Sequence, residues 1–342
     1  MPLVTALRPA PKPAPGDGGA PIVVGLVNNM PDAALRTTEW QVRDLLTRAA
    51  GKSAIALRIF SLPEVPRSEI GQAHVSEFHE PIAALWDSDV AGLIVTGTEP
   101  KTPSFEDEPY WPSLSRLVDW AEEHTASTIW SCLASHAAAY RLDGIEREPL
   151  GKKMFGVFDC DRTADHPLVD GAERWCVPHS RFNTVPEPAL ERVGYRILSR
   201  SPEAGVDMFI KERNSLFVFL QGHPEYDATA LFGEYRRDVR RFLAGQIECY
   251  PELPQGYFTD AAAAELMGFR ERAVQRPGSV LLEEFPAESV GRQLTAPWRD
   301  AATRLYANWL TYLRDRRTAQ ASEAQSPVSP ALPRRRRNAA YA

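Results

Sequence analysis

The chain has 342 residues, 44% hydrophobic and 25% charged, the proportions of a globular protein long enough to bury an extensive core without disulfides. Its 39 Lys and Arg against 45 Asp and Glu leave a formal net charge of -6, which argues against a dedicated nucleic-acid binder. Four irregularly spaced cysteines (Cys132, Cys160, Cys176, Cys249) form no CxxC pair, and no apolar run approaches the ~18 residues of a membrane span, so a reduced, cytoplasmic setting with no membrane partner is expected.

In chain order, residues 1–20 are rich in Pro, Ala and Gly and read as a disordered leader. Ile22 to Val27 is a short apolar run that stops at Asn28-Asn29-Met30-Pro31, the pattern of a buried strand meeting a turn. Helical spacing of Trp40, Val42, Leu45 and Leu46 marks a helix from Thr38 to Arg48, and 54–60 is a second strand. Residues 89–97 form a third, a helix follows over 113–123, and 125–132 is a fourth strand followed by a helix over 133–142. Residues 146–214 are less periodic and read as an insert or an antiparallel flank. Leu216 to Leu220 is another apolar strand, followed by a helix over about 229–243, and 260–286 reads as a long loop. From 316 the chain turns polar and nearly closes on four arginines, Arg334 to Arg337, which reads as a disordered basic tail. One domain therefore spans 21–315. Continuous apolar strands alternating with amphipathic helices predict an α/β fold with a parallel sheet covered on both faces.

In such sheets ligands gather at the carboxyl ends of the strands, where Asn28, Thr96, Cys132 and His223 fall. Cys132 ends a strand and precedes a helix, a turn that lifts a side chain above the sheet and faces it to a helix N-terminus. Taken alone it reads as a core cysteine. The second half is Gly222-His223-Pro224-Glu225, again just after a strand: an imidazole able to activate a thiol, with a carboxylate two residues on to orient it. His136, one helical turn past Cys132, reads as core, and His179 as a supporting residue. His74, His79, His124 and His166 have no ligand-like spacing, so no metal is expected.

With these halves in place, the chain resembles the homoserine O-acyltransferase family, the homoserine transsuccinylases of methionine biosynthesis. The match runs over roughly 22–312: Asn29-Met30-Pro31 ahead of Thr38-Glu39, Gly92 to Gly97 ahead of Tyr110-Trp111-Pro112, Lys153 to Val157, Pro178-His179-Ser180-Arg181, Gly222 to Asp227, Trp298-Arg299 and Asn308-Trp309-Leu310. The resemblance implies a fold like that of class I glutamine amidotransferases, with homoserine and acyl-CoA as substrates and no other cofactor. Cys132 would carry the acyl group as a thioester, His223 would be the base and Glu225 its orienting partner. Lys153 and Ser180 would contact substrate, and Arg237 would hold the homoserine carboxylate. A homodimer is also implied. Lys101 stands where the family separates succinyl from acetyl donors, with Gly associated with the first and Glu with the second; its ammonium suits a succinyl carboxylate. Acetyl transfer, and a cysteine hydrolase or amidotransferase of the same fold, are the alternatives. Against the amidotransferase, Trp130 and Ala134 replace the glycines that usually flank its cysteine.

Overall fold

The structure, a computed structural model, describes residues 21–325. β1 (Ile22–Val27), α1 (Asp32–Ala50), β2 (Ile55–Phe60), α2 (Glu69–Phe78), α3 (Ala83–Trp86) and β3 (Gly92–Thr96) lead the chain. α4 (Trp111–His124), β4 (Ser127–Ser131) and α5 (Leu133–Asp143) follow. Next come β5 (Glu148–Arg162), β6 (Arg174–Thr184), α6 (Glu187–Arg192), β7 (Arg196–Ser201) and β8 (Gly205–Glu212). β9 (Leu216–Leu220), α7 (Ala230–Leu243), α8 (Asp260–Gln275), α9 (Ala287–Gly291) and α10 (Arg299–Gln325) complete the described chain.

Among the described residues, nine strands form one sheet in the order β2-β1-β3-β4-β9-β8-β7-β5-β6. The first five are mutually parallel and the remaining pairings antiparallel, so residues 146–214 build an antiparallel flank beside the parallel half. The two-residue alternation of strands sorts the core. Trp130, Phe217 and Phe219 face α4 and α5 on one side. Ile129, Val218 and Leu220 face the other, with Tyr306, Trp309 and Leu313 of α10. This is the α/β arrangement with helices on both faces that the strand pattern predicts. A third cluster joins Leu231, Tyr235 and Val239 of α7 to Leu266 and Phe269 of α8 and to Phe285. No helix among the described residues is long and apolar enough to cross a membrane.

Two boundaries differ from the sequence reading. Residues 260–275 are helix, not loop: Thr259 Oγ1 accepts from Ala262 N at 3.2 Å as an N-cap, and Ala262, Leu266, Phe269 and Ala273 recur on one buried face. The helix was hidden because its apolar stripe is made partly of alanines. α10 likewise continues through Arg316 to Gln325, past the boundary at 316, because nothing in its polar end breaks a helix. Residues 1–20 and 326–342, including the four-arginine run, lie outside the described residues.

Candidate active site

β4 and β9 are neighbours, with Ser131 opposite Leu220, so the residues that follow each strand emerge side by side. Cys132 forms the turn between β4 and α5, and its amide donates to Leu220 O at 2.7 Å. Its backbone sits at φ 50, the one positive φ of a non-glycine residue among those described. Such a conformation costs on the order of 1–3 kcal/mol and persists where surrounding structure imposes it. Here it lifts a half-buried thiol onto the N-terminus of α5, whose first N–H groups have no intrahelical partner. Gly97, at the end of β3, lets that helix start approach: a Cβ there would lie 2.8 Å from Leu133 Cβ and 3.1 Å from Ala134 N. A cleft lined by Asn29, Thr96, Phe105, Tyr110 and Leu133 opens beside it.

His223 is buried beyond the end of β9, anchored by its amide to Pro178 O at 2.7 Å. Its Nδ1 donates to Glu225 Oε1 at 2.8 Å, and Cys132 lies near enough to act on the charge of the ring. Burial alone would lower its pKa, but Glu225 and Cys132 together raise it well above the ordinary value. Its two histidine neighbours behave oppositely. His136, bound to Gln221 Oε1 at 2.9 Å, is pushed down to about 3 by burial, and burial also lowers His179. Of the three, only His223 has the charge partners to hold a proton beside the sulfur. Glu225 Oε1 also accepts from Ser131 Oγ at 3.3 Å. The turn carrying His223 and Glu225 is fixed from α10's start: Trp298 Nε1 donates to Tyr226 O at 2.8 Å and Arg299 to Glu225 O at 3.1 Å.

Lys153, Ser180 and Arg237 come from β5, β6 and α7 and converge on a residue the sequence reading missed, Glu234. Its Oε2 accepts from Ser180 Oγ at 2.5 Å and Lys153 Nζ at 3.3 Å, with Arg237 Nη2 at 3.8 Å. Its Oε1 accepts from Tyr226 Oη at 2.8 Å, and the Tyr226 ring stacks on His223 at 4.3 Å. Glu234 thus links the candidate substrate-binding group to the candidate base. Burial would raise its pKa, yet Lys153, Ser180 and Tyr226 outweigh that and hold it below the ordinary carboxylate value. Arg237, half exposed, also reaches Asp238 at 3.0 Å, and Lys153 reaches Asp238 at 3.4 Å. The signal in the sequence was Glu234 one helical turn before Arg237, obscured by the surrounding arginines.

Lys101 is on the loop after β3 with its side chain exposed and, among the described residues, in no ion pair; its amide and that of Thr102 donate to buried Glu108 at 2.6 and 2.9 Å.

A sequence model of the family "Homoserine O-succinyltransferase" matches residues 10–320. A protein of that name from Bradyrhizobium japonicum is 47% identical over 313 residues, covering 90% of this chain and 96% of its own. Another of that name from Methylorubrum extorquens is 45% identical over 294 residues, covering 86% and 87%. Among solved structures, a glutamine amidotransferase from Thermotoga maritima matches 86% of this chain and 99% of its own at 15% identity, with a TM-score of 0.47.

Proposed function

The chain belongs to the homoserine O-succinyltransferase family, and we propose that it moves the succinyl group of succinyl-CoA to the homoserine hydroxyl through a thioester on Cys132. The observation that carries this reading is the Cys132–His223–Glu225 chain, built on a strained strand-to-helix turn at a helix N-terminus.

His223 takes the Cys132 proton as sulfur attacks the thioester carbonyl of succinyl-CoA. The developing oxyanion lies against the free N–H groups that open α5. On collapse the C–S bond to CoA breaks, and the leaving sulfur takes the proton back from His223. Homoserine then enters, His223 accepts its hydroxyl proton, and the new alkoxide attacks the Cys132 thioester. The ester leaves and the proton returns to Cys132, so the enzyme ends as it began. Splitting one acyl transfer into two is the gain from a covalent intermediate.

Homoserine presents a carboxylate and an ammonium. Arg237 suits the first, since a guanidinium pairs a carboxylate in two parallel bonds. Glu234 suits the second: its Oε1 has Tyr226 as its hydrogen-bond partner among the described residues, which leaves lone-pair capacity. Lys153 and Ser180 hold that carboxylate in place. Lys101 supplies a cation for the succinyl carboxylate, which acetyl-CoA lacks. The substrates are water-soluble, and we place the reaction in the cytoplasm, with a homodimer as the working assembly.

The test is release of CoA thiol from succinyl-CoA with and without homoserine. Homoserine-dependent release supports the transferase. Release that ignores homoserine indicates a hydrolase, and stronger turnover with acetyl-CoA overturns the choice of donor.

A further inference from the structure

Among the described residues, two clusters of buried metal-ligand side chains include neither Cys132 nor Glu225: Cys160–His179–Asp207 and Glu39–His74–His79. The first fails as a cation site on its own chemistry. Arg181 Nε donates to His179 Nδ1 at 3.3 Å, so the ring's proton sits on Nε2, the atom that faces Asp207. A protonated Nε2 has no lone pair for a metal. Burial pushes the Cys160 thiol up, away from thiolate, and the Arg181 guanidinium places a positive charge nearby.

The second cluster has no thiol, and no side chain among the described residues donates to its ring Nδ1 atoms. Glu39 projects from α1, His74 from α2, and His79 from the position just after α2; they are 1%, 3% and 9% exposed. His74 Nε2 lies 3.0 Å from both Glu39 oxygens and His79 Nε2 lies 2.8 Å from Oε1, and the donor atoms all fall within 4.8 Å of one another. Both Nδ1 atoms are buried without a hydrogen-bond partner among the described residues, so, unlike His179, neither ring has a donor at Nδ1 that fixes its proton on Nε2; a metal ion replacing the Nε2–H bonds to Glu39 could send each proton to Nδ1 without breaking a hydrogen bond on that side. The neighbouring cation, Arg67, is engaged by Asp32 at 3.6 Å and by the carbonyls of Met30 and Asn28.

We propose that Glu39, His74 and His79 bind a divalent transition metal ion of the zinc class. Two imidazoles and a carboxylate match that class, whereas magnesium and calcium prefer oxygen alone. Donors about 2.0–2.1 Å from a tetrahedral ion stand about 3.3 Å apart, so each imidazole need move away from the Glu39 carboxylate by only a few tenths of an ångström. Such an ion would clamp α1 to α2. Because Asn28 Nδ2 reaches Glu39 Oε1 at 3.4 Å while Asn28 Oδ1 accepts from Met30 N at 3.2 Å, it would also steady the turn after β1. Its role is structural, and it is independent of the acyl-transfer reading.

The test uses the untagged full chain, stripped with chelator and then titrated with zinc and, separately, cobalt(II) and magnesium. One equivalent of zinc bound, a zinc-dependent rise in melting temperature and the visible bands of tetrahedral cobalt are expected; magnesium should give none of these. Removing a ligand should cost at least what losing an outer-shell partner does, on the order of 10–100-fold in affinity, so His79→Gln and His74→Gln should each weaken zinc by that much while Asp207→Asn does not. Failure of the folded wild-type chain to bind zinc overturns the proposal whatever the variants do. So does an equal response to magnesium, or zinc binding that survives both histidine substitutions.

Discussion

Glu234→Gln keeps the size of the side chain and removes one charge from the point where Lys153, Ser180, Tyr226 and Arg237 meet. The glutamine oxygen can still accept from Ser180 or Tyr226, but its NH2 group then faces cations or hydroxyls that had an acceptor. A hydrogen bond to a charged group contributes about 1.5–3 kcal/mol, and a chain of this size loses about 1–2 °C of melting temperature per kcal/mol, so the fold survives with a modest drop. The larger effect is on homoserine. Removing one partner of a mostly buried charge pair costs about 2–5 kcal/mol, which at 1.4 kcal/mol per decade is roughly 30- to 4000-fold in kcat/KM for homoserine. Thioester formation from succinyl-CoA, which involves no ammonium, should change far less. The assay is a single-turnover measurement of CoA release without homoserine, set beside steady-state kinetics in homoserine. If homoserine kcat/KM stays within about threefold of wild type while the melting temperature falls, Glu234 is a structural tie and the ammonium assignment is wrong. The pH dependence has a fixed sign. A carboxyl held below its unfolded value stabilises the fold above the ordinary carboxylate range, and that contribution fades as pH drops through the folded value, so acid should destabilise wild type more than Glu234→Gln.

Cys132→Gly should abolish acyl transfer and raise the melting temperature, because glycine accepts φ 50 without the strain of about 1–3 kcal/mol carried by cysteine; an unchanged or lower melting temperature refutes the strain argument. Glu225→Gln should lower the His223 pKa, read by NMR titration of the ring, since Glu225 is the leading influence holding it up; the stability tied to that raised value is present below the ordinary histidine pKa and lost as pH climbs through the folded one, so the variant should lose it earlier. Arg237→Ala should raise the homoserine KM far more than that of succinyl-CoA, and equal effects on both would assign Arg237 to the helix surface. Lys101→Glu should shift preference from succinyl- to acetyl-CoA; an unchanged ratio would show that the exposed ammonium does not read the donor.

What the sequence made legible follows from how local each feature is. Cys132 and the His223–Glu225 pair stood out because each occupies the end of an apolar strand, and a parallel sheet brings such ends together without long-range information. Lys153, Ser180 and Arg237 are scattered over two antiparallel strands and a helix; only resemblance singled them out, and only the fold shows that they share Glu234. Glu234 itself was masked by charge, lying in a helix whose arginines read equally as a solvated face. The Glu39–His74–His79 cluster was invisible for a different reason: 35 residues separate the first two, and β2 and the packing of α2 on α1 close that gap. α8 was missed because alanine, the best helix former, carries little hydrophobic signal to mark a buried face.

The central claim is that Cys132 itself carries the acyl group. Mix the wild-type chain with succinyl-CoA in the absence of homoserine, quench in acid within the first turnover, and map the peptides by mass. A succinyl group should be found on Cys132, in amounts matching the CoA released, and should vanish when homoserine is added before the quench. CoA released together with succinyl-homoserine, but with no acyl group on Cys132 at any time, would mean direct transfer between substrates and would contradict the account.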